Sequence, residues 1–477
     1  MRIGLRVCSI RVPAAVVLML GGVVTHGVAQ SLENLRREHA AAMAAHHLCS
    51  GLWVVGRDHQ RSAEEVLAQD VARFPAFAWQ DDFAYEVNES THTVSVSGHE
   101  FDTRMARYHG DQGCTILPFG SERIYFEPVP VPRHVPNPAS TAWPTGDVGA
   151  HGTFPEVEQA ALDRALDWAM AQPQHTRALV ATYRGKIIGE RYASGFTPHT
   201  PQISWSQGKS ITAALVGVLV EQGVLNLESP APVAEWQGPG DPRRHITVAN
   251  LLNMSSGLDF RNYGLGSPVS WIADNEHFRI YFDAVNVFEH AINQPMDLEP
   301  NQRFRYRNSD PLTLGRIVRQ TVEARGDDYL TFPQRALFDR IGARNFVLET
   351  DAWGNFILTG YDFGSAWDWT RFGLLHLWDG LWNGDRILPE GWTEFVSTPA
   401  PADPQQGYGG LFWLNRGGAH NRIPADAYWA AGFMGQTTMV IPSRDMVVVR
   451  LGPSPGDFNT YLNETVGRVL EAVGVSR

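Results

Sequence analysis

The sequence predicts an α/β (α+β) fold: an antiparallel sheet flanked by helices, with a helical subdomain, preceded by a small N-terminal β-containing region. Three observations support this prediction. Residues 178–192 have the pattern of a β-hairpin, residues 246–342 are mostly helical in pattern, and residues 410–451 return to strand patterns. Strands at both ends of a region, with helices between them, indicate one sheet that the two ends complete together.

Residues 1–29 have the layout of a secretory signal peptide. Three arginines precede the apolar run Ala14–Val24, and small residues follow at Gly27–Ala29. The run is too short to span a membrane, and a retained N-terminal anchor is the alternative. We therefore expect a periplasmic or secreted protein that has no stable membrane insertion after cleavage.

The composition excludes some partners. The 477 residues carry a formal net charge of −12, and the chain has no basic runs. Such a surface is a poor match to nucleic acid or to anionic membranes, so neither is expected as a partner. The sequence leaves the oligomeric state open.

Residues 30–126 form a predicted N-terminal region with a helix near residues 62–74 and a strand at residues 91–97. Its two cysteines, Cys49 and Cys114, are expected to pair because an exported chain meets an oxidising compartment; two buried free thiols are the alternative. His46 and His47 have no second cluster that would complete a metal site, so we expect surface histidines at a helix end.

Residues 127–155 are rich in Pro and Gly, which predicts a linker or an extended crossing segment before a larger domain at residues 156–477. A helix near residues 155–172 opens that domain, and the hairpin follows. The late strands are expected at residues 410–414, 437–441 and 446–451, and the last helix at residues 461–473.

The strongest chemical signal lies at Ser204–Ser210, which leads into an apolar block at residues 211–220. Ser206 and Lys209 are three residues apart, so on a helix their Cβ atoms are roughly 5–6 Å apart. Burial lowers the pKa of an amine, and Lys209 could then accept the proton of Ser206 near neutral pH. The alternative is a helix cap with a solvated lysine, because short motifs also occur by chance.

Three segments in this order resemble the serine β-lactamase and penicillin-binding superfamily, in particular its β-lactamase-related esterase and 6-aminohexanoate-dimer hydrolase branch. Ser206–Lys209 has the S-x-x-K pattern, Tyr306–Asn308 matches Tyr-x-Asn, and Ala430–Gln436 stands where the β-lactamases carry Lys-Thr-Gly. The resemblance covers residues 174–473. It implies a β-lactamase/transpeptidase-like fold and a serine hydrolase without a cofactor or metal.

The resemblance also implies a role for each matched residue. Ser206 would attack a carbonyl and form an acyl-enzyme, while Lys209 and Tyr306 move its proton. Asn308 would orient the substrate or Lys209. The backbone N–H groups of Ser206 and Phe433 would form the oxyanion hole. Taken alone, Tyr306 could be a packed aromatic residue and Asn308 a turn residue.

The third segment departs from the β-lactamase pattern, because Ala430 and Ala431 stand where a cation and a hydroxyl help to bind the antibiotic's carboxylate. We therefore expect weak or no β-lactamase activity and a small-molecule ester or amide substrate. Gly432 fits a strand edge where the backbone approaches the substrate closely. Several aromatic residues could line an acyl pocket or fill the core: Trp205, Tyr263, Trp271, Tyr428 and Trp429.

Rival functions stay open at this level. Ser204–Gly208 approaches the G-x-S-x-G motif of an α/β-hydrolase esterase, but a serine replaces its first glycine. A slowly acylating penicillin-binding or sensor protein would keep the motif with little turnover. A true β-lactamase and a D-alanyl-D-alanine peptidase share the nucleophile, but they require the cation that this chain lacks.

Overall fold

A computed structural model describes residues 15–73, 82–99, 101–261, 276–454 and 456–474, with side chains from residue 33 onward. Residues 1–14 of the predicted signal peptide lie outside this range. So do Tyr263 and Trp271, two of the aromatic candidates for the acyl pocket. Within the described residues, the chain is a mixed α/β molecule whose sheets are antiparallel.

The N-terminal part combines a long helix with a four-stranded sheet. Its elements are α1 (Ala15–Ser50), a π-helical turn (Gly51–Val55), α2 (Ala63–Val66), a second π-helical turn (Leu67–Val71), β1 (Ala84–Asn88), β2 (Thr93–Gly98), β3 (Phe101–Tyr108) and β4 (Cys114–Ile116). The strands pair in chain order. Val94 and Val96 are fully buried, while the residues between and beside them are partly exposed, as expected for a sheet that packs one face on a helix.

Cys49 and Cys114 form the predicted disulfide, which joins the end of α1 to β4. The expectation of surface histidines beside it was wrong. His46 and His47 are 1% and 5% exposed, because the last turns of α1 are enclosed between the N-terminal sheet and the rest of the chain. A helix end that carries histidines looks polar in sequence, and only the tertiary packing shows that it is covered.

Residues 117–158 run mostly without regular secondary structure. Trp143 in this segment is buried, and its indole N–H donates to Gly185 O at 2.7 Å. The segment therefore packs along the larger part of the chain. Among the described residues, no helix is both long enough and apolar enough to cross a membrane.

The larger part begins with α3 and contains a central six-stranded sheet. In chain order its elements are α3 (Gln159–Ala171), β5 (Ala178–Tyr183), β6 (Lys186–Tyr192), β7 (Gln202–Ile203), α4 (Gly208–Glu221), α5 (Val248–Leu252), α6 (Glu276–Phe282), α7 (Val287–Ile292), α8 (Ser309–Ala324), β8 (Val347–Leu348), β9 (Asp362–Gly364), α9 (Ala366–Leu377), β10 (Leu381–Trp382), β11 (Asp385–Arg386), α10 (Trp392–Ser397), β12 (Trp413–Leu414), β13 (Tyr428–Gly432), β14 (Gln436–Ile441), β15 (Met446–Leu451) and α11 (Phe458–Ala472). The central sheet has the order β12-β13-β14-β15-β5-β6, and β7-β9-β8 form a smaller sheet.

Side chains alternate between the two faces of the central sheet. Met446 and Val448 of β15 belong to a core shared with α3 and α11, whereas Val447 and Val449 face the core that contains α4 and α9. Helices therefore cover both faces, as the sequence predicts. The early hairpin and the late strands lie in one sheet because β15 pairs with β5.

The helical subdomain comprises α5 to α8. Within the region predicted to be mostly helical, residues 246–342, the chain is interrupted at residues 283–286, which separate α6 from α7. Asn286 caps α7 by accepting a hydrogen bond from Glu289 N at 3.1 Å, which explains the new start. Strand β13 is not among the predicted strands, and β12 is shorter than the strand predicted at residues 410–414.

Candidate active site

Ser206 lies in a short 3₁₀ turn, Trp205–Gln207, that leads into α4. The chain before this turn is fixed by β9, since Ser204 N donates to Asp362 O at 2.8 Å. One helical turn after Ser206, Lys209 Nζ donates to Ser206 Oγ at 2.8 Å. The structure thus brings together the hydroxyl and the amine that the sequence pairs.

The Lys209 side chain is only 1% exposed, so the alternative of a solvated lysine is wrong. Burial lowers the pKa of Lys209 to about 7, and the nearby carboxyl of Asp362 acts in the opposite direction. An amine with this pKa is partly neutral at neutral pH and then has a lone pair that can accept a proton. The apolar block at residues 211–219, which is buried throughout, provides this environment.

Tyr306 approaches Lys209 from the turn before α8. Its ring centroid lies 4.9 Å from Lys209 Nζ, and the ring packs against Tyr408 and Trp413 with centroids 5.7 and 5.2 Å away. The structure therefore brings Tyr306 to the Ser206–Lys209 pair. Its burial is intermediate, which is compatible with both a packed ring and access to a ligand.

Buried polar groups fix the turn that carries Tyr306. Asp310 accepts hydrogen bonds from the hydroxyls of Ser256 and Ser309, each at 2.9 Å, and pairs with Arg307 at 3.4 Å. Ser256 lies in the block at residues 246–258 that the family resemblance includes. These contacts tie α8 to that block and set the start of the helix beside Lys209.

One backbone carbonyl in the site accepts three hydrogen bonds. Thr359 O accepts from Ser206 Oγ at 3.3 Å, from Lys209 Nζ at 3.3 Å and from Tyr281 Oη at 2.6 Å. Asn308 Nδ2 donates in turn to Tyr281 Oη at 2.9 Å. Asn308 is fully buried and does not use its side chain to cap α8. Asn308 is therefore connected to Ser206 through Tyr281 and Thr359.

Phe433 lies just after β13, beside the nucleophile turn. Its ring centroid is 5.7 Å from that of Trp205, and its side chain is 55% exposed. At Gly432 a Cβ would stand 2.0 Å from Ser204 O, so β13 approaches the turn closely only because the residue is glycine. This contact with protein backbone accounts for the glycine, and the close approach to a substrate that the sequence suggests stays a prediction.

The aromatic candidates for an acyl pocket fall into two groups, those that fill the core and one that lies beside Ser206. The Tyr428 hydroxyl donates to His376 O at 3.0 Å in the core, and Trp429 packs with the apolar residues of the opposite sheet face. Both fill the core. Trp205 directly precedes the nucleophile and contacts Phe433, so it remains a candidate.

Sequence reasoning missed three residues of the site. Thr359 contributes a main-chain carbonyl, which no side-chain pattern can reveal. Tyr281 lies in the region predicted to be mostly helical, but nothing in the sequence distinguishes it from a core residue. Asp362 is buried beside α4: a Cβ on Gly208 would lie 2.4 Å from its Oδ1, and burial raises its pKa well above the ordinary value.

The assembled groups can perform nucleophilic chemistry on a carbonyl. A hydroxyl, an amine with a lowered pKa and a phenol lie together, with the end of a strand beside them. Among the described residues, no group of three or more His, Cys, Asp or Glu side chains is arranged to hold a metal ion.

Known proteins resemble this chain in sequence or in fold. A 6-aminohexanoate-dimer hydrolase from Paenarthrobacter ureafaciens is 23% identical over 339 residues, which cover 67% of this chain and 81% of that relative. A Bacillus anthracis structure, named provisionally as a 6-aminohexanoate-dimer hydrolase, has a TM-score of 0.56 at 20% identity and covers 72% of this chain and 90% of its own. A family VIII carboxylesterase has a TM-score of 0.52 at 13% identity and covers 67% and 98%.

The family model for β-lactamase matches residues 162–465, which include Ser206, Lys209, Tyr306 and the central sheet. This match removes the α/β-hydrolase alternative, since that fold has a different sheet and a different nucleophile turn. The chain that carries the buried Ser206–Lys209 pair belongs to the β-lactamase family and is a serine hydrolase.

Proposed function

We propose that this protein hydrolyses small carboxylic esters or amides through an acyl-enzyme on Ser206. The observation that carries the proposal is the 2.8 Å hydrogen bond between Ser206 Oγ and the Nζ of a buried lysine whose pKa is lowered to about 7. A neutral amine at this distance can accept the hydroxyl proton as Ser206 attacks the carbonyl carbon.

In this mechanism Lys209 is the base for acylation. Tyr306, next to Lys209, passes the proton to the leaving group. Water then attacks the acyl-enzyme, and Lys209 and Tyr306 move a proton in the opposite direction, from the water to Ser206. The N–H groups of Ser206 and Phe433 would stabilise the oxyanion, and the contact between Gly432 and Ser204 O supports this by bringing β13 close to the nucleophile.

The substrate class follows from what surrounds the nucleophile. Ala430 and Ala431 have only methyl side chains, so they offer no cation or hydroxyl to an antibiotic's carboxylate. Phe433, which is 55% exposed and packs on Trp205, offers apolar surface beside the turn that carries Ser206. Both features favour esters or amides without that carboxylate, and the names of the relatives, a dimer hydrolase for an amide-linked compound and a carboxylesterase, agree with this class.

We further propose that the protein is exported after removal of residues 1–29. The disulfide between Cys49 and Cys114 supports an oxidising compartment. Helix α1 spans Ala15–Ser50, so cleavage after residue 29 would leave its buried part, residues 39–50, intact. N-terminal sequencing of the protein secreted by its host tests this. A mature chain that still starts at Met1 would contradict it.

The test of the function is a substrate panel: p-nitrophenyl acetate and butyrate, a linear amide such as the 6-aminohexanoate dimer, and nitrocefin. We expect turnover of the esters or the amide, with weak or no turnover of nitrocefin. Ser206→Ala should lower kcat/KM by about 10³-fold or more, as for other nucleophile deletions.

Ser229→Ala is the matched control, because this serine is exposed and lies outside the site. It should keep native activity. A stoichiometric burst of p-nitrophenol without turnover would indicate a slowly acylating binding protein instead. Rapid nitrocefin hydrolysis would indicate a β-lactamase, and equal activity in Ser206→Ala would refute the assigned nucleophile.

A further inference from the structure

The N-terminal helix α1 lies outside the residues that match the family, yet its last turns reach the candidate site. His39 Nε2 pairs with Asp283 Oδ1 at 2.9 Å, and its ring lies 5.5 Å from that of Phe282, at the end of α6. Residues 40–50 are all buried. An element added to the family domain therefore covers one side of it.

Two further histidines of α1 contact the aromatic groups next to the nucleophile. His46 stacks on Tyr361 with ring centroids 3.8 Å apart. The His47 ring lies 5.6 Å from Trp205 and 5.8 Å from Tyr361. Trp205 directly precedes Ser206 and is 6% exposed. Its φ of +52° is an uncommon backbone conformation for a residue other than glycine.

Polar anchors hold the end of α1 in this place. Glu349 is buried, accepts hydrogen bonds from Ser50 Oγ at 2.8 Å and from Cys114 N at 2.9 Å, and pairs with His46 at 2.7 Å. The disulfide of Cys49 ties the same turn to β4. Because a buried carboxylate that loses its donors is costly, α1 has little freedom to move away from the site.

The space behind Trp205 is small. A cavity of about 10 Å³, lined by His47, Asp70, Arg177, Gln202 and Trp205 among others, has room for about one water molecule. Asp70 and Arg177 on its wall form an ion pair at 2.6 Å, and their side chains are only 11% and 10% exposed. This cavity is therefore too small to accept the indole of Trp205.

We propose that His47 of α1 sets the depth of the acyl pocket by holding the Trp205 indole beside Ser206, so that the enzyme prefers short acyl chains. This inference rests on the proposed function. It gives the N-terminal part of the chain a role in specificity: the family domain supplies the chemistry, and the added helix limits the length of the acyl group. His47 is a positioning residue, since it acts through Trp205.

The experiment measures kcat/KM for p-nitrophenyl acetate and p-nitrophenyl octanoate and compares their ratio among variants. The ratio does not depend on how much of each variant is correctly folded. His47→Ala should raise the octanoate-to-acetate ratio about tenfold, because the indole can withdraw into the space of the lost imidazole. Trp205→Ala should raise the ratio at least as much.

His39→Ala is the matched control: it truncates a buried histidine of the same helix that contacts α6 and has no ring contact with Trp205. It should keep the native ratio. The proposal is overturned if Trp205→Ala raises the ratio while His47→Ala does not, if neither does, or if His39→Ala raises it equally. A native protein that cleaves neither ester would refute the proposed function itself, and this inference with it.

Discussion

Lys209 reaches Ser206 with an amine that the apolar core has almost fully removed from water. Desolvation disfavours the ammonium form, and this is the largest influence on its pKa. In the mechanism that we propose, the lysine therefore acts as the base, and no histidine is needed. The proposed activity therefore depends on the protonation state of Lys209, which the pH dependence of the kinetics can follow.

The first prediction concerns the pH dependence of kcat/KM for an ester. Because the pKa of Lys209 is lowered to about 7, the amine becomes protonated as the pH falls through 7 and can no longer accept a proton. We expect kcat/KM to be constant well above pH 7 and to fall about tenfold per pH unit below it. Lys209→Arg should be inactive throughout, since a guanidinium stays protonated. A profile that is flat from pH 8 to pH 5 would contradict this role.

The second prediction concerns Tyr281, whose hydroxyl donates to the same Thr359 carbonyl that Lys209 uses. In Tyr281→Phe the carbonyl is free to accept more strongly from the Lys209 ammonium, which stabilises the charged form and raises the pKa of Lys209. One hydrogen bond corresponds to about 0.5–1 pH unit. The acidic limb of the pH–rate profile should shift upward by this amount, and kcat/KM at pH 7 should fall several-fold.

Tyr461→Phe is the control for Tyr281→Phe. Its hydroxyl is also buried and hydrogen-bonded, to Thr176 and Ala169, but it lies on the opposite face of the central sheet. This variant should lose stability without moving the pH–rate profile. If Tyr281→Phe lowers activity with the profile unchanged, Tyr281 supports the structure only.

At the scale of elements, the backbone of strand β13 comes close to the backbone of Ser204, just before the turn that carries Ser206. Gly432 has a φ of −121°, which any residue can adopt, so conformational freedom is not the reason for the glycine. The reason is the approach to Ser204 O, which a side chain would block. The position of β13 therefore depends on the absence of a side chain at Gly432, and so does the position of the Phe433 N–H that follows it.

The third prediction tests that contact. In Gly432→Ala the added Cβ would lie 2.0 Å from Ser204 O, so β13 must move away from Ser206. We expect kcat to fall about 10²-fold, the effect of losing one oxyanion donor. Gly238→Ala is the control, because nothing lies within 4 Å of its added Cβ. Native kcat in Gly432→Ala would show that the strand end has no part in catalysis.

The sequence could predict elements whose signals are local. The hairpin at β5–β6, the strands β14 and β15 and the apolar helix α4 follow from hydrophobic period and turn residues, and the Ser206–Lys209 spacing follows from helix geometry. Strand β13 was missed because its small residues, Ala430 to Gly432, suit packing against a turn and carry no strand signal. Thr359 and the burial of His46 and His47 depend on contacts between distant segments, which no local pattern contains.

At the scale of the whole molecule, the N-terminal part is bonded firmly to the family domain. The disulfide closes a loop between residues 65 apart, and Glu349 links its two ends to the larger part of the chain. Asp70 and Arg177 add an ion pair whose side chains are 11% and 10% exposed. These links give the N-terminal part and the catalytic domain a shared stability.

The fourth prediction concerns that shared stability. The double variant Cys49→Ser, Cys114→Ser should lower the free energy of unfolding by about 4 kcal/mol in the chain-entropy model for a loop of this length. Urea unfolding followed by fluorescence measures this change, with the exposed-site variant Ser229→Ala as a reference. An unchanged midpoint would show that the disulfide does not hold the folded state together.

The central claim is that the acyl group of the substrate passes through Ser206. The most direct measurement is mass spectrometry of the protein quenched in acid during turnover of p-nitrophenyl acetate. We predict a mass increase of one acetyl group, located by peptide mapping on Ser206, and its absence in Ser206→Ala. An acetyl group on another residue, or turnover without any covalent adduct under conditions that make deacylation slow, would contradict the account.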